Sequence, residues 1–398
     1  MSVSRRTFVK AAGVGSLGAF AAPLIAGRGS EATRELYELG LSPADVAFAS
    51  DERARARRAS PMAIRLDSNE NPNGPGQAVL DAIHDMFGEA GRYPDLPSDD
   101  LRAAIAKHFG VTTDNVLLGC GSGEILRMSV FAYTSPDRAL VSAAPSFEDP
   151  VKHAVNTRAP VREVPVDAQL MLDLGKMIDA ASGAGLVYVC NPNNPTATVH
   201  GFNAVRNYIA DVNRRSPNTT ILVDEAYHEF VEEPAYSTAV PLAMDNPRVI
   251  VARTFSKVFG MAGMRLGYAI ARKETIDELR KQRLPNNINV LSAAGALRAL
   301  DDTAHIKDQV ALNRAAREFT RQSFEGWGYK PGVSQANFIM VPINHDAKAF
   351  KEACAKQGIL VGRAFPPLTT HARISIGTMD EMKKAVGVFQ QVLSSATY

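Results

Sequence analysis

Val249-Ile250-Val251-Ala252-Arg253-Thr254-Phe255-Ser256-Lys257 couples an apolar run to a polar end, and Arg265 follows within Gly263-Met264-Arg265-Leu266-Gly267. The run Val249 to Ala252 is apolar on both faces, as a strand buried inside a covered sheet is. A lysine at the end of such a strand, among apolar neighbours, loses hydration; its amine drops in pKa and gains nucleophilicity. The hydroxyls of Thr254 and Ser256 suit a phosphate, and Arg265 can return a guanidinium to the same anion. A Ser-Lys pair alone is weak evidence, because most lysines are solvated surface groups.

The same pattern recurs on both sides of this segment. Apolar runs at Asn115 to Leu118, Ala139 to Ser142, Leu186 to Cys190, Thr220 to Val223 and Gly267 to Ile270 alternate with helical patterns from about residue 90. Such alternation predicts an α/β fold with a mostly parallel sheet covered by helices on both faces. After a helical stretch near 290–330, shorter runs at Phe338 to Val341, Ile359 to Val361 and Arg373 to Ile376 predict a second, smaller α/β domain. The expected partition is an arm or linker over 28–60, a segment 61–90 joining the small domain, a large domain over 91–300 and the small domain over 301–398. In a parallel sheet, ligands sit beyond the carboxyl ends of the strands. The unusual residues of this chain fall at those ends.

Ile221-Leu222-Val223-Asp224-Glu225-Ala226-Tyr227 ends a buried strand with a carboxylate. An ionised aspartate there needs a cationic partner, of which a protonated pyridine nitrogen is one, or else it caps a following helix. Tyr227 stands close enough to hydrogen-bond a phenolic oxygen on the same ligand. Asn191-Pro192-Asn193-Asn194-Pro195-Thr196 follows another strand and offers the Asn194 amide to that oxygen. Gly119-Cys120-Gly121-Ser122-Gly123-Glu124 is a glycine-rich turn opening a helix, a natural phosphate cradle. Pro145-Ser146-Phe147 places a ring where a planar ligand could stack.

Together these five loops resemble the pyridoxal-phosphate aminotransferases of fold type I, and among them the histidinol-phosphate aminotransferase-like group. The resemblance spans about residues 62 to 395 and extends to Leu66 through Pro75, Arg92-Tyr93-Pro94-Asp95, Ala336-Asn337-Phe338-Ile339 and Arg373-Ile374-Ser375-Ile376-Gly377-Thr378. It implies pyridoxal 5'-phosphate as cofactor and a large domain with a sheet of the seven-stranded type. It implies that Lys257 carries the cofactor as a Schiff base, that Asp224 pairs its ring nitrogen, and that Asn194 and Tyr227 hold its phenolic oxygen. Ser122, Gly123, Thr254, Ser256 and Arg265 are then expected around the phosphate, with Phe147 on the ring. Tyr93 of the partner subunit is expected to reach the same phosphate, which requires a homodimer. Arg373 is expected to clamp the substrate carboxylate, and Asn337 to lie in the substrate site. The chain departs from the group at Gly123, at Glu148-Asp149-Pro150 and at Arg363, which sits one place late.

The implied reaction is transfer of an amino group between an amino acid, or an amino-alcohol phosphate, and a 2-oxo acid. A decarboxylase or lyase uses the same cofactor contacts, since the bond that breaks depends on substrate orientation. A binding protein retaining the fold has no need to keep Lys257, Asp224, Tyr227 and Arg265 together.

The composition excludes other classes. With a net charge of +2 over 398 residues, nothing predicts a nucleic-acid surface. Cys120, Cys190 and Cys354 are too few for a disulfide framework or metal knuckle and read as small buried hydrophobes; no metal is expected. Ser4-Arg5-Arg6-Thr7-Phe8-Val9-Lys10, before an apolar run to Ala26, resembles a twin-arginine export signal over 1–27. It predicts a periplasmic enzyme without a membrane span once the signal is removed, and a cytoplasmic one if the signal is not used. The alternative is an N-terminal helix with a chance arginine pair.

Overall fold

The computed structural model describes residues 63–395; the expected signal and arm lie outside the described residues. In chain order the strands are β1 (Ile64–Leu66), β2 (Val116–Gly119), β3 (Leu140–Ala144), β4 (Val161–Pro165), β5 (Leu186–Cys190), β6 (Thr220–Asp224), β7 (Val249–Thr254), β8 (Gly267–Ile270), β9 (Phe338–Pro342), β10 (Ile359–Val361) and β11 (His371–Ser375). The helices are α1 (Gln77–Asp85), α2 (Asp95–Phe109), α3 (Ser122–Tyr133), α4 (Asp149–Asn156), α5 (Leu174–Ala180), α6 (Phe202–Arg215), α7 (Val240–Asp245), α8 (Lys273–Arg280), α9 (Val290–Asp301), α10 (Thr303–Gly326), α11 (Ala347–Lys356) and α12 (Met379–Ser394).

Seven strands form one sheet in the order β2-β8-β7-β6-β5-β3-β4. Five of them, β7-β6-β5-β3-β4, pair in parallel, and β8 runs antiparallel to both of its neighbours. The mostly parallel, two-sided sheet expected from the sequence is therefore present. Its central strands are largely apolar because alternate residues enter two different cores. Val187, Val189, Ile221, Val223, Val249 and Val251 pack with residues of α2, α5, α6, α7 and α9 on one face. Leu186, Tyr188, Cys190, Leu222, Ile250 and Ala252 pack with residues of α3, α4 and α8 on the other.

β4 was not expected. Its sequence, VREVP, exposes Arg162 and Glu163, so it lacks the apolar run that marks its neighbours. Its place at the sheet edge explains this, because an edge strand tolerates and uses charge.

A third core gathers Leu66, Phe324, Ile339, Val341, Phe350, Ile374 and Phe389. Here β1 pairs in parallel with β10, and β11 pairs antiparallel with β9. The helices around it start on built caps: the Asp302 carboxylate accepts from the His305 backbone N–H, and Thr378 and Glu381 form a capping box. The cysteine expectation needs one correction. Cys190 and Cys354 are buried, but Cys120 is exposed, because it sits in the turn between β2 and α3 rather than on a strand.

Candidate active site

The carboxyl ends of β2, β3, β5, β6 and β7 face one cavity of about 670 Å³. Ser122, Gly123, Phe147, Asn194, Asp224, Tyr227, Thr254, Ser256, Lys257, Arg265 and Arg373 all line it. Tyr93 and Asn337 do not.

Lys257 lies just past β7, and its Nζ donates to the Asn69 carbonyl at 3.1 Å. Burial, then the Arg373 guanidinium, push the amine down to about 8, against the pull of Glu70 and Asp224. Asp224 ends β6, in register with Cys190 on β5 and Ala252 on β7. Its Oδ2 accepts from the Tyr188 hydroxyl at 2.8 Å and its Oδ1 from the Ala226 N–H at 3.2 Å. Burial raises the carboxyl to about 6, opposed by the Tyr188 and Ala226 hydrogen bonds and the Lys257 charge. It caps no helix, since the short 3-10 turn that follows has Tyr227 at its N-cap. One residue further, Glu225 points to the opposite face and accepts from the buried Arg253 Nε at 2.8 Å.

The turn Gly119 to Ser122 brings the start of α3 against Arg265. Gly121 has φ +74, and a Cβ there would lie 2.3 Å from an Arg265 guanidinium nitrogen. Arg265 itself adopts φ +58 and donates from Nη1 to the Ser256 hydroxyl at 3.3 Å. Thr254 Oγ1 donates to Ser256 Oγ at 2.9 Å and accepts from the Ser256 N–H at 3.1 Å. A guanidinium, two hydroxyls and a helix N-terminus thus converge where only glycine leaves room, a donor set that fits a phosphate dianion. At the other end stand a buried carboxylate for a cationic ring nitrogen and an amine close to neutrality. Those residues fit pyridoxal phosphate.

Arg373, on β11, donates from Nη1 to Asn194 Oδ1 at 2.8 Å and from Nη2 to the Asp67 carbonyl. Its Nε is buried without a hydrogen-bond partner among the described residues. Phe365 lies under this guanidinium at 4.8 Å and under that of Arg363 at 4.2 Å. Arg363 in turn pairs with Glu148 at 2.5 Å, so two of the departures noted in the sequence meet at the cavity mouth. The third, Gly123, has open space where a Cβ would stand.

Asn337 is buried elsewhere. Its amide donates to the carbonyls of Asn69 at 3.0 Å and Glu70 at 3.3 Å, and it lines a separate cavity of about 140 Å³. Tyr93 is 73% exposed. The residue that motif reading underused is Asn69. Its amide donates to the Tyr227 hydroxyl at 3.1 Å, its Oδ1 accepts from Ser375 at 2.7 Å, and its carbonyl receives Lys257. The signal was available in Asn69-Glu70-Asn71-Pro72, since asparagine is the non-glycine residue that best tolerates the φ of +53 found there.

Residues 61–389 match the family Aminotransferase class I and II. The chain is 36% identical over 334 residues to the histidinol-phosphate aminotransferase of Symbiobacterium thermophilum, covering 83% of this chain and 90% of that one. It is 34% identical over 335 residues to the same-named protein of Bacillus velezensis, covering 83% and 91%. Among solved structures, histidinol-phosphate aminotransferase from Sinorhizobium meliloti in complex with pyridoxal-5'-phosphate superposes with a TM-score of 0.79 at 26% identity, covering 86% of this chain and 94% of that one. Aspartate aminotransferase from Thermus thermophilus with maleate shares the fold, with a TM-score of 0.73 at 19% identity over 86% and 94%.

Proposed function

The chain belongs to the aminotransferase class I and II family, and on that footing we propose which residues carry its transamination and which substrates it takes. The enzyme is a pyridoxal-phosphate-dependent aminotransferase. The substrates proposed are an α-amino acid donor and a 2-oxo acid acceptor. The observation that carries this choice is Arg373, a buried guanidinium on the cavity wall whose hydrogen bonds among the described residues go only to neutral oxygens, Asn194 Oδ1 and the Asp67 carbonyl. A substrate carboxylate entering the cavity would pair with this guanidinium, and a charge-assisted pair there is strong because water is excluded.

Each remaining group has a task set by its surroundings. Ser122, Gly123, Thr254, Ser256 and Arg265 would hold the phosphate, Phe147 the ring face, and Asn194 and Tyr227 the phenolic oxygen. Asp224 would keep its anion opposite the ring nitrogen, and Lys257 would form the covalent attachment. When bound, the cofactor supplies an electron sink for the charge left on the substrate carbon. With its amine held at about 8, Lys257 is about half neutral near pH 8, and the neutral amine can take the α-proton as a base, then return it as an acid. Arg373 fixes the carboxylate so that the α-proton, rather than the carboxyl group, is the group presented. This favours transamination over loss of carbon dioxide.

The experiment mixes the purified enzyme with a panel of amino acids and with histidinol phosphate. It follows the visible absorbance of the cofactor and identifies the keto product. Turnover of α-amino acids that collapses in Arg373→Ala supports the carboxylate clamp. Turnover confined to the amino-alcohol phosphate removes it. That second reading draws support from the relatives' names and from Lys152, Lys351 and Arg363 at the mouth.

The proposal extends to assembly and location. A homodimer with shared sites is supported by Tyr93, which is exposed and lies outside its own chain's cavity. Periplasmic export is supported by the Ser4 to Lys10 motif. Replacing Arg5 and Arg6 with lysine should strand active enzyme in the cytoplasm; a wild-type enzyme found wholly cytoplasmic with its first residues intact removes the idea.

A further inference from the structure

Tyr188 sits two residues before the end of β5, on the same face as Cys190, and is 1% exposed. Its ring packs in the apolar core formed with α3, α4 and α8. Its hydroxyl donates to Asp224 Oδ2 at 2.8 Å, with the Cys190 thiol beside it. A buried phenol without a partner would cost about 1–3 kcal/mol, so the tyrosine has a reason to be there rather than phenylalanine. A carboxylate has room for about four hydrogen bonds. Tyr188 and the Ala226 N–H fill one place on each oxygen and leave the rest for a ligand.

We propose that Tyr188 is a positioning residue: its hydroxyl, held in the apolar core beneath the cavity, keeps Asp224 ionised and fixes the orientation in which it meets the cofactor's ring nitrogen. This rests on the assignment of Asp224 to that nitrogen. The titratable groups acting on Asp224 are Tyr188 and Cys190 from β5, Lys257 from the loop after β7, and Glu225 and Tyr227 from the chain after β6. Lys257 is the single cation among them, and it leaves that role when it gives up its proton. The Tyr188 donation does not depend on that proton. Burial pushes the phenol well above its ordinary range, so it stays a donor throughout the working range. The sign follows: a hydrogen bond to the charged form lowers a carboxyl pKa, and removing it raises that pKa.

The test uses Tyr188→Phe in the full-length chain, which removes one oxygen and keeps the ring. The Asp224 carboxyl is titrated by infrared difference against Asp224→Asn, and the dissociation constant of pyridoxal phosphate is measured against pH. The carboxyl midpoint should rise by roughly one pH unit, a tenfold change in proton affinity. Cofactor affinity at pH 6 should fall about fivefold, with a smaller loss at pH 8.5, and the acid limb of the single-turnover rate should move up with the midpoint. Site-specific 3-fluorotyrosine at position 188, a stronger donor of nearly the same size, should move the midpoint down, and it serves where the phenylalanine variant fails to fold. A midpoint that stays put in both variants, with only a lower melting temperature, makes Tyr188 ordinary core and overturns the proposal. A midpoint that moves while affinity and acid limb stay put also overturns it. In that outcome a near-normal single-turnover rate in Asp224→Asn identifies the assignment of Asp224 as what failed.

Discussion

Lys257 and Asp224 are pushed in opposite directions by the same burial, the amine down to about 8 and the carboxyl up to about 6. Burial thus disfavours the charged form of each relative to the unfolded chain, and each works against folding when charged. For Asp224 the folded state binds a proton that the unfolded state releases between about pH 3.8 and 6. Stability falls as pH rises through that window, and the cost is fully present above it. Asp224→Asn should thus stabilise the cofactor-free protein by about 1–3 kcal/mol at pH 7.5, with the gain vanishing near pH 4. Urea melts at the two pH values check this, and an equal gain at both would mean that the charge is not the cause. The same variant should slow proton abstraction by orders of magnitude, each factor of ten being about 1.4 kcal/mol of barrier. Lys257→Ala should lose the covalent cofactor and slow turnover by roughly 10² to 10⁴-fold or more. Borohydride reduction and peptide mapping of the wild type should mark Lys257 and no other lysine. Both residues were legible in sequence, because a charge at the end of an apolar run is conspicuous. Tyr188 was not, because one tyrosine in a buried strand reads as core until its hydroxyl is placed.

Among elements, the loops at strand ends were legible and their supports were not. Strands β5, β8 and β10 stand where the apolar runs placed them, and the others extend or shift by a residue or two. β1 and β4 escaped because exposed charge breaks their apolar pattern, Arg65 in the first and Arg162 with Glu163 in the second. A tight junction at the site lies between β8 and α3, where a Cβ at Gly267 would lie 2.3 Å from the Ser122 backbone nitrogen. Gly267→Ala should therefore destabilise by about 2–3 kcal/mol and weaken cofactor binding through the displaced start of α3. In contrast Gly387, exposed within α12 with open space at its Cβ position, should gain about 0.5–1 kcal/mol on replacement by alanine. Thermal melts of the two variants should move in opposite directions. Equal shifts would show that backbone crowding does not govern either position.

Taken as a whole molecule, the site draws on distant parts of one chain. Asn69 precedes α1, Asn194 and Lys257 come from the large sheet, and Arg373 comes from the small one. Sequence motifs found these residues but not how they interlock, since Asn69 and Ser375 are bonded across 306 positions. Two subunits complete the picture if Tyr93 serves its neighbour. Tyr93→Phe and Lys257→Ala enzymes, each impaired alone, should then regain activity when mixed and allowed to exchange, approaching a quarter of the wild-type sites at equal amounts, by simple combinatorics of about one intact site in four. Mixtures that never exceed the better parent, despite proven exchange, would leave each site to its own chain.

The alternation at the ends of β6 and β7 bears on how such an enzyme can change. Asp224 and Thr254 face the cavity, while Glu225 and Arg253, one step along each strand, lock together on the other side. A one-residue insertion in either strand would swap those faces, putting a salt-bridge partner into the chemistry and stranding its mate in apolar surroundings. Length variation is therefore closed off where the reaction occurs. It stays open around Glu148, Lys351 and Arg363, on helix starts, outer helices and loops. Laboratory evolution of this scaffold should accumulate its gains and losses of length at that rim, and new substrate preferences should emerge there while the reaction itself stays the same.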